Sequence, residues 1–222
     1  MEPEQKQHRN YKFLVIGRMG DGKSSVCRFL TGNEGIEVSS RIESCTHHVK
    51  LYTSSDKLNE QRGYSLEVLD TPGLDSEEEN MLKIMVELSD IFNDCEYIDG
   101  ILYTISMSHA RDETMSWFLN FLRLYFTKDQ LSRIIIPVLT HYDKMLFEDD
   151  EKVMEAKNSR RDAIIRLWDS EGSEEILNFW ENHIEWINDA GQKPSLKSNE
   201  DFHKIYWTQL NKLIDKASTH RL

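Results

Sequence analysis

Two apolar patterns alternate along the chain. Uninterrupted runs of strand length recur at YKFLVIG (11–17), IDGILYTIS (98–106) and RIIIPVLT (133–140). Apolar residues at successive positions predict strands buried on both faces. THHVKLYT (46–53) and YSLEVLD (64–70) instead alternate with period two and flank the polar stretch SSDKLNEQRG. That arrangement predicts a hairpin with a long loop. HIEWIND (183–189) reads as a weaker sixth strand.

Between these runs the apolar residues fall at helical spacing. A helix is predicted over residues 23–30. Met81, Ile84, Met85, Leu88 and Ile91 form one stripe, and Met115, Phe118, Leu119, Leu122 and Tyr125 form another. Residues 148–168 read as a charged helix that can pack through Met154, Ile164, Leu167 and Trp168. Phe202, Ile205, Tyr206, Leu210, Leu213 and Ala217 mark a terminal helix, with Ser198 and Asp201 as its capping box. Strands alternating with helices predict an α/β fold. Its sheet is six-stranded and mainly parallel, with one antiparallel strand from the hairpin and helices on both faces. Residues 1–10 read as a polar extension and 11–222 as a single domain.

The net charge of −12 argues against nucleic acid as a partner. The acids gather in DSEEEN and FEDDEK, which suit solvated helix starts. Cys27, Cys45 and Cys95 have no metal-binding spacing, and an odd count does not suggest a disulfide framework. Free thiols fit a reducing, cytoplasmic setting. The first ten residues show no signal-peptide core. No apolar run approaches the ~20 residues that span a bilayer.

The first candidate chemistry is GRMGDGKS, residues 17–24, set between a strand and a helix start. It has the form G-x-x-x-x-G-K-S, whose glycines let backbone N–H groups wrap a phosphate chain. Gly17, Met19, Gly20, Asp21, Gly22, Lys23, Ser24 and Ser25 are the candidate nucleotide contacts. Lys23 suits the outer phosphates and Ser24 suits Mg²⁺. DTPG follows two strands later: Asp70 can hold Mg²⁺ through water, and Gly73 can bring its N–H to a terminal phosphate. Thr46 offers a second hydroxyl ligand for Mg²⁺, in competition with Ser39, Ser40 and Ser44.

The last strand ends in THYD, residues 140–143. A carboxylate at Asp143 accepts from both N1–H and the 2-amino group of guanine. Adenine offers an acceptor at N1 and no 2-amino group, so the same residue disfavours it. His141 stands where a base-covering side chain is needed and can stack on the base.

The order GRMGDGKS, SCT, DTPG, THYD resembles a Ras-like P-loop GTPase. GDGKSS, SCTHHV, DTPGLD and the threonine-led base motif resemble the septin–Toc–GIMAP branch, and within it the avrRpt2-induced-gene (GIMAP-type) G domain. The resemblance covers roughly residues 11–217. It implies GTP and GDP as ligands with Mg²⁺, nucleotide-dependent self-association through the nucleotide face, and peripheral membrane association. SMSHARDET resembles the family's conserved box. It gives Arg111 either a role across a homodimer or a salt bridge to Asp112 or Glu113 at a helix start. Matching EWIND to the fifth motif implies Asn188 beside the guanine, with Trp186 nearby.

Lys23, Thr46 and Arg111 are thus the expected contributors to hydrolysis. A water-orienting Gln is expected just after D-x-x-G, but this chain has Leu74. Asp75 is expected to cap the next helix, with water orientation as its alternative. His47 and His48 are expected to face solvent from a strand, with the phosphates as their alternative. Intrinsic hydrolysis should be slow. A second reading, a GTP-dependent assembly module with incidental turnover, shares every binding residue. An ATPase or kinase is disfavoured by Asp143.

Overall fold

The computed structural model describes residues 9–38, 46–75, 78–106 and 115–141, with 151–152, 155, 158–159 and 185–186. The strands are β1 (Arg9–Gly17), β2 (Lys50–Thr53), β3 (Tyr64–Asp70), β4 (Gly100–Ser106), β5 (Ile135–Thr140) and β6 (Glu185–Trp186). The helices are α1 (Lys23–Thr31), α2 (Asp56–Arg62), α3 (Glu78–Asp94), α4 (Met115–Leu122) and α5 (Lys128–Ile134). The sheet has the order β2-β3-β1-β4-β5-β6. Among the described residues only the β2–β3 pair is antiparallel. The other four pairs are parallel. The expected architecture is therefore present.

The continuous apolar runs are explained by two cores. Phe13 and Val15 of β1 join Val26, Cys27 and Leu30 of α1 on one face of the sheet. Leu14 and Ile16 join Ile84 and Leu88 of α3 and Phe118, Leu119 and Leu122 of α4 on the other. The apolar residues 13–16 of β1 thus alternate between two helix-covered faces, so a polar side chain there would be buried at a cost. Parallel pairing sets the site: Val15 lies opposite Asp70, and Gly17 lies opposite Thr104. The C-terminal ends of β1, β3, β4 and β5 thus share one edge, where ligands bind in open α/β sheets.

Several expected boundaries are corrected. β1 begins at Arg9, which pairs with Tyr64, two residues before the strand expected at 11–17. β2 begins at Lys50 rather than at 46, because Val49 N donates to Glu87 Oε2 of α3 at 2.7 Å instead of joining a ladder. His47 and His48 are exposed as expected, but outside a strand. The stretch read as a hairpin loop contains α2, which buries none of its residues. It is anchored by polar contacts instead: Arg62 Nη1 donates to Leu30 O at 2.9 Å. α5 was also unforeseen, although Thr127 and Gln130 form its capping box. The expected terminal helix and the Ser198–Asp201 box lie outside the described residues, as does most of 148–168.

Phe118 is fully buried and touches Trp117 and Phe121 edge-on or tilted. Leu124, close by in sequence, is 76% exposed. Phe118→Ala should cost about 3–5 kcal/mol in chemical denaturation, whereas Leu124→Ala should stay within about 0.5 kcal/mol. Equal costs would contradict this placement of the core.

Candidate functional site

The phosphate loop follows directly from β1. Gly17 faces Thr104 so closely that a Cβ would lie 2.1 Å from Thr104 Oγ1. Only glycine lets the chain leave the sheet at that point. Gly20 and Gly22 have φ of 81° and 80°, a left-handed geometry that costs glycine little. Gly22 is also the N-cap of α1, and no side chain caps that helix. A glycine at the N-cap offers no side-chain acceptor to the first turn, where Ser, Thr, Asp or Asn usually stands. This is the donor arrangement that binds phosphate at a helix N-terminus. Asp21 braces the loop internally: its Oδ2 accepts from Arg18 N at 3.1 Å. Met19 and Gly20 are exposed, and Ser24 and Ser25 are half-buried.

Lys23 is 7% exposed, and its Nζ donates to Arg18 O at 2.7 Å. Burial lowers its pKa, opposed by the carboxylates of Asp70, Asp21 and Asp75. A buried ammonium held by one carbonyl gains strongly from a phosphate anion.

Three of the predicted metal residues converge. Asp70, at the end of β3, is 1% exposed. Its Oδ2 accepts from Ser24 Oγ at 2.8 Å and from Thr46 Oγ1 at 3.4 Å. No hydrogen bond from the described residues reaches its buried Oδ1. Burial raises the Asp70 pKa, opposed by the Ser24 hydroxyl and by the charge of Lys23. A buried carboxylate oxygen without a donor, beside two hydroxyls, fits a hard divalent cation with oxygen ligands. Ser24, Thr46 and Asp70 would hold Mg²⁺ there.

The segment after β3 closes over the phosphate loop. Thr71 Oγ1 donates to Val15 O at 2.9 Å, which fixes where β3 ends. A Cβ on Gly73 would lie 2.7 Å from Met19 N, so glycine is required by contact. Leu74 is 1% exposed in the core, and its N donates to Gly17 O at 3.1 Å. It has neither the chemistry nor the position to orient water. Asp75 also makes contacts that neither of its expected roles named. Its Oδ1 accepts from Met19 N at 2.6 Å, and its Oδ2 lies 3.4 Å from Arg18 Nε. The carboxylate thus touches the phosphate loop through two neighbouring residues.

Thr140 was not anticipated. Its Oγ1 donates to Asp21 O at 2.8 Å and so ties the end of β5 to the phosphate loop. The signal was a buried threonine closing an apolar strand beside a polar turn. His141 follows at φ 57°. Its ring is half-buried beside the loop: a Cβ on Gly22 would lie 3.5 Å from His141 Cε1. Asp143, Arg111 and Asn188 lie outside the described residues, as do Ser39, Ser40 and Ser44.

Comparison with known proteins agrees with this geometry. No curated protein sequence matches the chain. Toc33 from Arabidopsis thaliana with GDP and Mg²⁺ superimposes with TM-score 0.71 at 18% identity, covering 97% of this chain and 87% of that one. Another structure, from work on dimerization in the GTPase activity of chloroplast translocon components, gives TM-score 0.68 at 20% identity, covering 96% and 85%. Era from Aquifex aeolicus bound to GDP·AlF4⁻ gives 0.57 at 16%, covering 92% and 57%. At these identities the likeness establishes the fold. The model of the AIG1 family matches residues 11–171, well over half of the chain. The chain belongs to the AIG1 family and is a P-loop GTPase.

Proposed function

We propose that the chain binds GTP and GDP with Mg²⁺, hydrolyses GTP slowly, and turns over faster when two copies meet at the nucleotide face. The observation that carries this reading is the meeting of Ser24, Thr46 and Asp70 beside an uncapped α1 and a buried Lys23. Mg²⁺ bound by these residues would neutralise charge on the transferring phosphate. Lys23 and the loop N–H groups would bind and orient the phosphate chain. Asp143 would select guanine through its donor edge, His141 would cover the base, and Asn188 would lie beside the guanine.

Slow intrinsic turnover follows from Leu74. Its side chain is buried in the core, so the usual water-orienting amide has no counterpart at this position. A group from a second copy is the natural supplement. Toc33 supports this by analogy: dimerization is described as important for GTPase activity in chloroplast translocon components. Arg111 is the residue we assign to that role, since an inserted guanidinium raises turnover by about 10³–10⁵-fold in related chemistry. The alternative, a GTP-dependent assembly module with incidental turnover, differs only in lacking this gain.

Lys23→Ala should weaken GTP by roughly tenfold or more, because a charge-assisted hydrogen bond contributes about 1.5–3 kcal/mol. Equilibrium titration checks this, and wild-type affinity would remove Lys23 from the site. Turnover per molecule should rise with protein concentration, and Arg111→Ala should bind GTP yet stay slow at every concentration. A flat wild-type profile, with the variant equally active, would leave the assembly reading in place.

A further inference from the structure

The segment after β3 places a negative charge where the phosphate loop offers its donors. Asp75 Oδ1 accepts from Met19 N at 2.6 Å, and Oδ2 lies 3.4 Å from Arg18 Nε. Arg18 and Met19 both belong to GRMGDGKS. The two preceding residues are fastened to the same loop, Leu74 through Gly17 O and Gly73 by direct contact with Met19. Asp75 is also one of the carboxylates whose field acts on Lys23. A carboxylate in this place does for the loop what a phosphate oxygen would: it accepts a short, charge-assisted hydrogen bond from a backbone N–H.

We propose that Asp75 is a specificity-determining residue that competes with the terminal phosphate of a nucleoside triphosphate for the phosphate loop. The proposal rests on the nucleotide reading above. A diphosphate leaves the terminal position empty, and Asp75 keeps its hold on Met19 and Arg18. A triphosphate brings further negative charge to the same donors. Two anions crowded against one set of donors repel each other, strongly so in a half-buried site. Asp75 is displaced, and residues 73–75 lose one of their ties to the loop. The two nucleotides therefore hold this segment differently, which is the differential interaction that a nucleotide switch requires.

The test is titration calorimetry of the full chain with GDP and with a non-hydrolysable GTP analogue, both with Mg²⁺. Wild type is compared with Asp75→Asn and Asp75→Ala. The Asn variant keeps the shape and an acceptor but removes the charge, and thermal unfolding verifies its fold. The analogue-to-GDP affinity ratio should rise about tenfold in both variants. An unchanged ratio in both, or equal strengthening of both nucleotides, overturns the competition while leaving the nucleotide site intact. If wild type binds neither nucleotide, the nucleotide reading fails, and the proposal fails with it.

Discussion

The site depends on a carboxylate buried at the end of a strand. Asp70 is 1% exposed and lies opposite Val15 in the β1–β3 ladder. Taking an ionised carboxylate out of water is unfavourable unless donors or a cation compensate. Two hydroxyls satisfy one of its oxygens, and no hydrogen bond from the described residues reaches the other. The residues that surround Asp70 follow from that requirement. Ser24 is carried there by α1, and Thr46 by the approach to β2. Lys23 adds an opposite charge on the phosphate side.

The same logic links the loops around the sheet edge. Hydrogen bonds tie much of this edge together, alongside apolar anchors such as Leu74. Thr140 holds Asp21 O, Thr71 holds Val15 O, and Glu87 holds both Val49 N and the His48 ring. The two cores meanwhile fix the strands beneath. A rigid sheet with polar-tethered loops suits a site that must rearrange when one phosphate is gained or lost, because such tethers can be exchanged for contacts to a ligand.

The fold was legible where local sequence and tertiary environment agree. β1, β4 and β5 are apolar at successive positions because a helix covers each face. The phosphate loop was legible because glycine, lysine and serine act within eight consecutive positions. α2 was not, since it buries no residue and so leaves no apolar stripe to read. α5 was masked by the apolar run that follows it, although its capping box was visible. The phosphate-loop contacts of Asp75 and Thr140 were not legible because their partners, Met19 and Asp21, lie far away in sequence, at separations of 56 and 119 residues. No spacing rule reaches that far; only the parallel register brings these positions together.

The convergence of Ser24, Thr46 and Asp70 beside the phosphate loop is read here as a magnesium–guanine-nucleotide site. Direct titration of the purified chain with GTP, with and without Mg²⁺ and against ATP, tests that most directly. GTP should bind, Mg²⁺ should strengthen it, and ATP should bind at least about tenfold more weakly. Equal affinity for ATP, or GTP binding indifferent to Mg²⁺, would contradict it.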